Sequence, residues 1–127
     1  MKIYGIGTDI IRVSRIKNSL KKKSIKSRLF NKKEIVKCQK TKINYNCYAK
    51  RFAAKEAFSK ALGTGISEGI YFNQIIVQND KRGKPFIELI DMTKKNVEKR
   101  LKKKKYKISL SLSDEKNFAV AFVTISI

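Results

Sequence analysis

The segment 44–62 constrains the fold more than any other. Tyr45, Tyr48, Ala49 and Phe52 recur at i, i+3, i+4 and i+7, the spacing of one helix face. Gly63, a residue suited to a left-handed helix end, closes the run inside Gly63-Thr64-Gly65. An apolar stripe of that kind has to be covered, and the rest of the chain supplies strands to cover it. Ile108, Leu110 and Leu112 alternate with Ser109, Ser111 and Ser113, the period of a strand with one buried face. Residues 118–127 run nearly all apolar, as a buried strand does. Residues 2–11 predict a strand carrying Gly5 and Gly7. Residues 13–22 predict a short amphipathic helix on Val13, Ile16 and Leu20, and 32–40 a second one with Asn31 as its N-cap. Strands are predicted at 70–78 and 86–90, joined by a hairpin-like turn from Asn79 to Pro85. A last helix, 91–103, turns Met92, Val97 and Leu101 inward. The order predicts an α+β fold, an antiparallel sheet packed against one long helix and shorter helices. The 127 residues contain no repeat and no Pro/Gly/Ser linker, so 1–127 reads as a single domain.

Composition narrows the function. No apolar run approaches the ~20 residues of a membrane span, and the first residues lack the pattern of a secretory signal. Cys38 and Cys47 have no zinc-like partners, and the chain contains no histidine, which argues against a zinc site and against a histidine-based triad. Two cysteines make no secreted disulfide framework, so a reduced, cytoplasmic setting is expected. The net charge of +21 favours an anionic partner. Only six of the 31 basic residues are arginine, and nucleic-acid readers lean on arginine. Abundant lysine, isoleucine and asparagine also fit the imprint of an AT-rich genome, with lysines on solvated faces.

Two carboxylates stand in apolar settings. On the 44–62 helix, Glu56 falls about 20° from Tyr45 on the wheel, which predicts a carboxylate in the middle of the buried face. Such a group must be paired, protonated or metal-bound. Lys60, one turn on, offers an i, i+4 ion pair. Asp9 interrupts the strand-like Ile6-Gly7-Thr8-Asp9-Ile10-Ile11, although Asp is a poor strand former; its alternative use is to cap a helix starting near Val13. Oxygen ligands without His or Cys suit Mg²⁺, which takes one or two carboxylates and completes its shell with water and substrate phosphate. Arg51, Lys55 and Lys60, with the amides of Gly63-Thr64-Gly65, are candidates to cradle phosphates.

These residues also carry a resemblance. Gly5-Ile6-Gly7-Thr8-Asp9-Ile10, then Arg51-Phe52-Ala53-Ala54-Lys55-Glu56-Ala57 running into Lys60-Ala61-Leu62-Gly63-Thr64-Gly65-Ile66, then Asn79-Asp80 with Gly83-Lys84-Pro85, resemble the holo-[acyl-carrier-protein] synthase family of 4'-phosphopantetheinyl transferases. Ser111-Leu112-Ser113-Asp114-Glu115 with Phe118-Ala119 and Ala121 extends the likeness to the end of the chain. The resemblance implies the fold of that family. It also implies transfer of 4'-phosphopantetheine from coenzyme A to a serine of apo-acyl carrier protein, for fatty acid biosynthesis, with Mg²⁺ as cofactor and a homotrimer with active sites between subunits. It places Asp9 and Glu56 at the metal, and Arg51, Lys60, Gly63, Thr64 and Gly65 in segments that contact coenzyme A. Lys60 is expected to act at a phosphate or the leaving group, so Asp9, Glu56 and Lys60 form the expected catalytic set. The carrier protein is acidic, and Arg12, Arg15, Lys17, Lys21 and Lys22 are the expected docking face; no nucleic acid or membrane partner is expected. Arg12 stands where many relatives carry Glu, and Ser109 and Asp114 where many carry His. A metal-bound water is then the expected base, with Asp114 as the other candidate. Glu34 matches a recurrent family glutamate, with a helix-surface role as its alternative.

Overall fold

Helix α4 (Tyr45–Leu62) is the element against which the three-stranded sheet, the strand from Ile75 and two of the shorter helices pack. Asn44 caps it through its side chain, which accepts from the Cys47 amide, and Gly63 ends it at φ 89°. It is covered on nearly every side: Tyr48, Ala49, Ala53, Ala54, Ala57, Phe58, Ala61 and Leu62 are all buried. This corrects the single-stripe reading. Tyr45, Phe52 and Glu56 lie half-buried on one edge of the helix, while the alanines form its closest contact. A helix wrapped by other elements has no one apolar face, so periodicity alone misplaces its centre.

The computed structural model describes residues 1–127. Strand β1 (Ile3–Arg12) leads into α1 (Val13–Ser19), α2 (Lys23–Leu29) and α3 (Lys32–Cys38), which precede α4. A 3-10 turn (Phe72–Gln74), β2 (Ile75–Asn79), β3 (Pro85–Leu89), α5 (Asp91–Leu101), β4 (Lys107–Asp114) and β5 (Phe118–Ser126) follow. The strands form two antiparallel sheets, β1-β5-β4 and the β2-β3 hairpin. The first helix stops at Ser19, and α2, with no buried residue, showed no periodicity that could reveal it. Asn31 caps α3 in a full capping box with Glu34. On α5 the inward residues are Thr93, Val97 and Leu101, whereas Met92 is half exposed.

The three-stranded sheet packs one face on α4. Ala119, Ala121, Val123 and Ile125 of the central strand β5 are buried there, while Phe122 on the opposite face is exposed. The closest approach is made by β1. A Cβ at Gly5 would lie 1.9 Å from the Ala61 carbonyl oxygen, and one at Gly7 would lie 1.9 Å from that of Ala57. Strand and helix backbones thus touch with no side chain between them.

Cys38, at the end of α3, and Cys47, in the first turn of α4, are joined by a disulfide. This corrects the expectation of reduced thiols: the short connection folds α3 back on α4 and brings the two Cα atoms to 5.5 Å. No helix is long and apolar enough to cross a membrane.

Candidate active site

The glycine contact sets the site. Gly5, Gly7 and Asp9 share one face of β1, so Asp9 follows Gly7 onto α4 just where Glu56 precedes Ala57. The Asp9 carboxylate is mostly covered, with 18% of its side chain exposed. Lys60 Nζ donates to the Thr8 carbonyl at 3.0 Å and to Asp9 Oδ1 at 3.3 Å. The lysine therefore bridges helix to strand, and the i, i+4 pair with Glu56 is not formed. Nor does Asp9 cap α1, whose N-cap position is Arg12 with no side-chain bond.

Burial, and then the negative charge of Asp9, push the Glu56 carboxyl above its ordinary range, while Lys60 and Arg15 pull it down. A half-buried carboxylate beside a second acid forms a site that gains from a cation. A donor set of two carboxylates with no histidine or cysteine fits Mg²⁺, which needs few protein ligands. No group of three or more His, Cys, Asp or Glu is gathered anywhere in the structure, so any such ion would draw further ligands from water and substrate.

The other expected cations separate into distinct places. Lys55 is fully buried, and its ammonium donates to Glu34 Oε1 at 2.6 Å, the Phe72 carbonyl at 2.7 Å and the Ile75 carbonyl at 2.6 Å. All three of its protons are used, so it cannot cradle a phosphate. Glu34 is correspondingly no surface residue: its other oxygen accepts from the Val77 amide at 3.1 Å. Arg51 lies nine residues, or about 13 Å along the helix, from Lys60. It donates to Asn79 Oδ1 at 2.9 Å and to Cys47 Sγ at 3.3 Å, with its Nε buried and unpartnered. With Lys33, Lys37, Lys40 and Asn79 it lines a cavity of about 300 Å³. A cavity of about 610 Å³ lies between α1, the 39–44 connection and the first turn of α4, with Lys17, Lys37, Lys40, Lys42 and Lys116 and no acid in its wall. Neither cavity includes Asp9, Glu56 or Lys60; that site is an open junction of strand and helix.

The loop after α4 differs from a phosphate cradle. The amides of Gly63, Thr64 and Gly65 all point at the Ser59 carbonyl, at 3.0, 3.2 and 3.2 Å. None of these three amides is left free for a phosphate oxygen. Asp114 is drawn to the far end of α4, 3.0 Å from Asn46 Nδ2 and 3.4 Å from Lys50 Nζ, where it faces neither Glu56 nor Asp9 of its own chain. Arg12 lies over the Phe118 ring, 5.2 Å from its centre. Sequence reasoning missed the Lys55–Glu34 pair; its one legible sign was the Asn31-x-x-Glu34 capping pattern.

Comparison with known proteins bears on this geometry. The model of the 4'-phosphopantetheinyl transferase superfamily matches residues 5–123. A holo-[acyl-carrier-protein] synthase of Pelagibacter ubique is 48% identical over 125 residues, 98% of each chain. One from Ehrlichia chaffeensis is 46% identical, covering 97% of this chain and 96% of its own. Among solved structures, the Neisseria meningitidis holo-[acyl-carrier-protein] synthase superposes with a TM-score of 0.88 at 37% identity, over 98% of this chain and 99% of that one. The Bacillus anthracis enzyme, solved in complex with CoA (3',5'-ADP), gives 0.81 at 36% identity, over 99% and 98%. The motifs around Asp9 and Glu56 lie inside the matched region, and the chain belongs to the holo-[acyl-carrier-protein] synthases of the 4'-phosphopantetheinyl transferase superfamily.

Proposed function

We propose that this chain transfers 4'-phosphopantetheine from coenzyme A to a serine hydroxyl of apo-acyl carrier protein, releasing adenosine 3',5'-bisphosphate, in the service of fatty acid biosynthesis. The observation that carries the reading is the junction at which Lys60 bridges α4 to Asp9 beside Glu56. Asp9 and Glu56 would hold Mg²⁺, whose chemistry when bound is to neutralise charge on the pyrophosphate. The serine oxygen forms a bond to the phosphorus that carries pantetheine, and the bond from that phosphorus to the bridging oxygen breaks. Negative charge collects on the departing bisphosphate. Lys60, half exposed and one turn beyond Glu56, can leave Asp9 and neutralise that charge. The serine proton must go to a base. With no histidine in the chain and Asp114 held by Lys50 and Asn46, no other side chain offers itself as that base, and water held at the Asp9–Glu56 junction would take the proton. Arg51, Gly63, Thr64 and Gly65 are the proposed remaining contacts to coenzyme A.

The partner reading follows from charge. Between Arg12 and Lys42 there are thirteen basic residues and one acid, Glu34, which is buried. The first three helices thus present positive charge alone, which suits an acidic carrier protein and speeds its encounter. The outer face of the β1-β5-β4 sheet shows Ile6, Ile10 and Phe122, exposed by 59%, 65% and 45%. That apolar patch supports a homotrimer assembled on the sheet, and the proposed cytoplasmic setting rests on the activity alone, since the Cys38–Cys47 disulfide removes the argument from reduced thiols.

The test is the mass of an apo-acyl carrier protein incubated with coenzyme A, Mg²⁺ and the enzyme. A gain equal to one phosphopantetheine is expected, and it should disappear with a chelator. No gain across several carrier proteins would refute the activity. Glu56→Gln and Asp9→Asn should each lower kcat/KM by about 10²-fold or more. Wild-type rates in both would remove the metal assignment while leaving the family intact.

A further inference from the structure

The loop from Gly63 to Gly69 contains four residues with left-handed backbone: Gly63 at φ 89°, Gly65 at 65°, Glu68 at 57° and Gly69 at 81°. Such a sequence has little preference for one shape, because glycine populates many conformations about equally. Beyond the amides on Ser59, its own bonds are short-range: Thr64 Oγ1 and the Ser67 amide to the Gly65 carbonyl, Ser67 Oγ to that of Thr64, and the Ile70 amide to that of Ser67. None of these ties the segment from Glu68 to Gly69 to the end of α4, so contacts from outside the loop matter for its shape.

Two side chains of α5, one turn apart, reach both of its ends. Arg100 Nε donates to the Leu62 carbonyl at 3.1 Å, an otherwise orphaned group at the end of α4, and its guanidinium extends to the Gly63 carbonyl at 3.5 Å. The same guanidinium pairs with Glu68 at 3.4 Å. Asn96 Nδ2 donates to the Gly69 carbonyl at 2.9 Å. It lies so close that a Cβ at Gly69 would meet it at 2.2 Å. A cation at a helix C-terminus is also favoured by the helix dipole. We infer that Asn96 and Arg100 are positioning residues that hold the 63–69 loop in the shape that receives coenzyme A. The inference rests on the proposed transferase reading for its ligand, and on the geometry alone for the clamp.

Asn96→Ala removes one tie without changing any charge, so it separates loop order from electrostatic attraction of an anionic ligand. Asn96→Ala and Arg100→Ala are each expected to raise KM for coenzyme A by about 5- to 10-fold, with kcat and the KM for carrier protein within about twofold. Amides of residues 63–69 should exchange faster by about tenfold in both. Arg100→Lys keeps the charge but lacks the fork that reaches three acceptors, and should recover only part of the loss. Unchanged coenzyme A affinity and unchanged exchange in Asn96→Ala would overturn the clamp, as would equal rises in KM for both substrates. If wild-type protein transfers nothing, the transferase reading fails instead. Amide exchange, with coenzyme A affinity measured by calorimetry, then still decides whether the clamp exists.

Discussion

A buried ammonium whose every proton has an acceptor is worth more to the structure than to a ligand, and Lys55 is such a group. Burial pushes its pKa down and Glu34 pulls it back. Removing one partner strands the other. Glu34→Ala is expected to cost about 3–5 kcal/mol of folding free energy, read from the urea midpoint, whereas replacing Glu34 and Lys55 together by Gln and Met should cost less than the single change. Equal stability of Glu34→Ala and wild type would show the pair to be dispensable. This pair also marks where residue-level reading stops. Asn31-x-x-Glu34 is legible as a capping box, and the structure keeps that box. Nothing local reveals that the same carboxylate also reaches Lys55 and Val77, 21 and 43 residues away. Glu56 and Asp9 were each legible as acids in apolar settings, which suggested a shared Mg²⁺, and the motif resemblance strengthened that pairing across two elements.

Elements with a clear end or a clear period were legible: Gly63 closes α4, Asn31 opens α3, and the serine alternation marks β4. Helix α2 was not, because it buries nothing, and the disulfide was not, because its two halves lie on separate helices. The contact between β1 and α4 leaves no room for a side chain at Gly5 or Gly7 and was visible only as two glycines in a strand. Gly7→Ala should force the strand off the helix, lowering stability by about 3 kcal/mol. Because Asp9 and Glu56 sit on opposite sides of that gap, kcat/KM should fall at least tenfold at temperatures where the variant is still folded. Circular dichroism melts and the transfer assay together check this; full activity in a folded Gly7→Ala protein would uncouple the contact from the site.

For the molecule as a whole, sheet and charge set opposing demands. The patch of Ile6, Ile10 and Phe122 favours association, while +21 per chain resists it. Salt screens the second and not the first. Light scattering should therefore give about three times 14.6 kDa for the wild type, most firmly at high ionic strength. Phe122→Lys adds charge to the patch and should give single chains. A wild-type mass of one chain at every salt concentration would exclude the trimer. Inherited variation is bounded by the glycine contact. The atoms that bar a side chain from Gly5 and Gly7 are main-chain oxygens of Ala61 and Ala57, which no replacement along α4 removes. Suppressors of Gly7→Ala selected in cells should thus be missing from positions 57 and 61 and, where they arise, fall on β5, whose pairing sets where β1 lies.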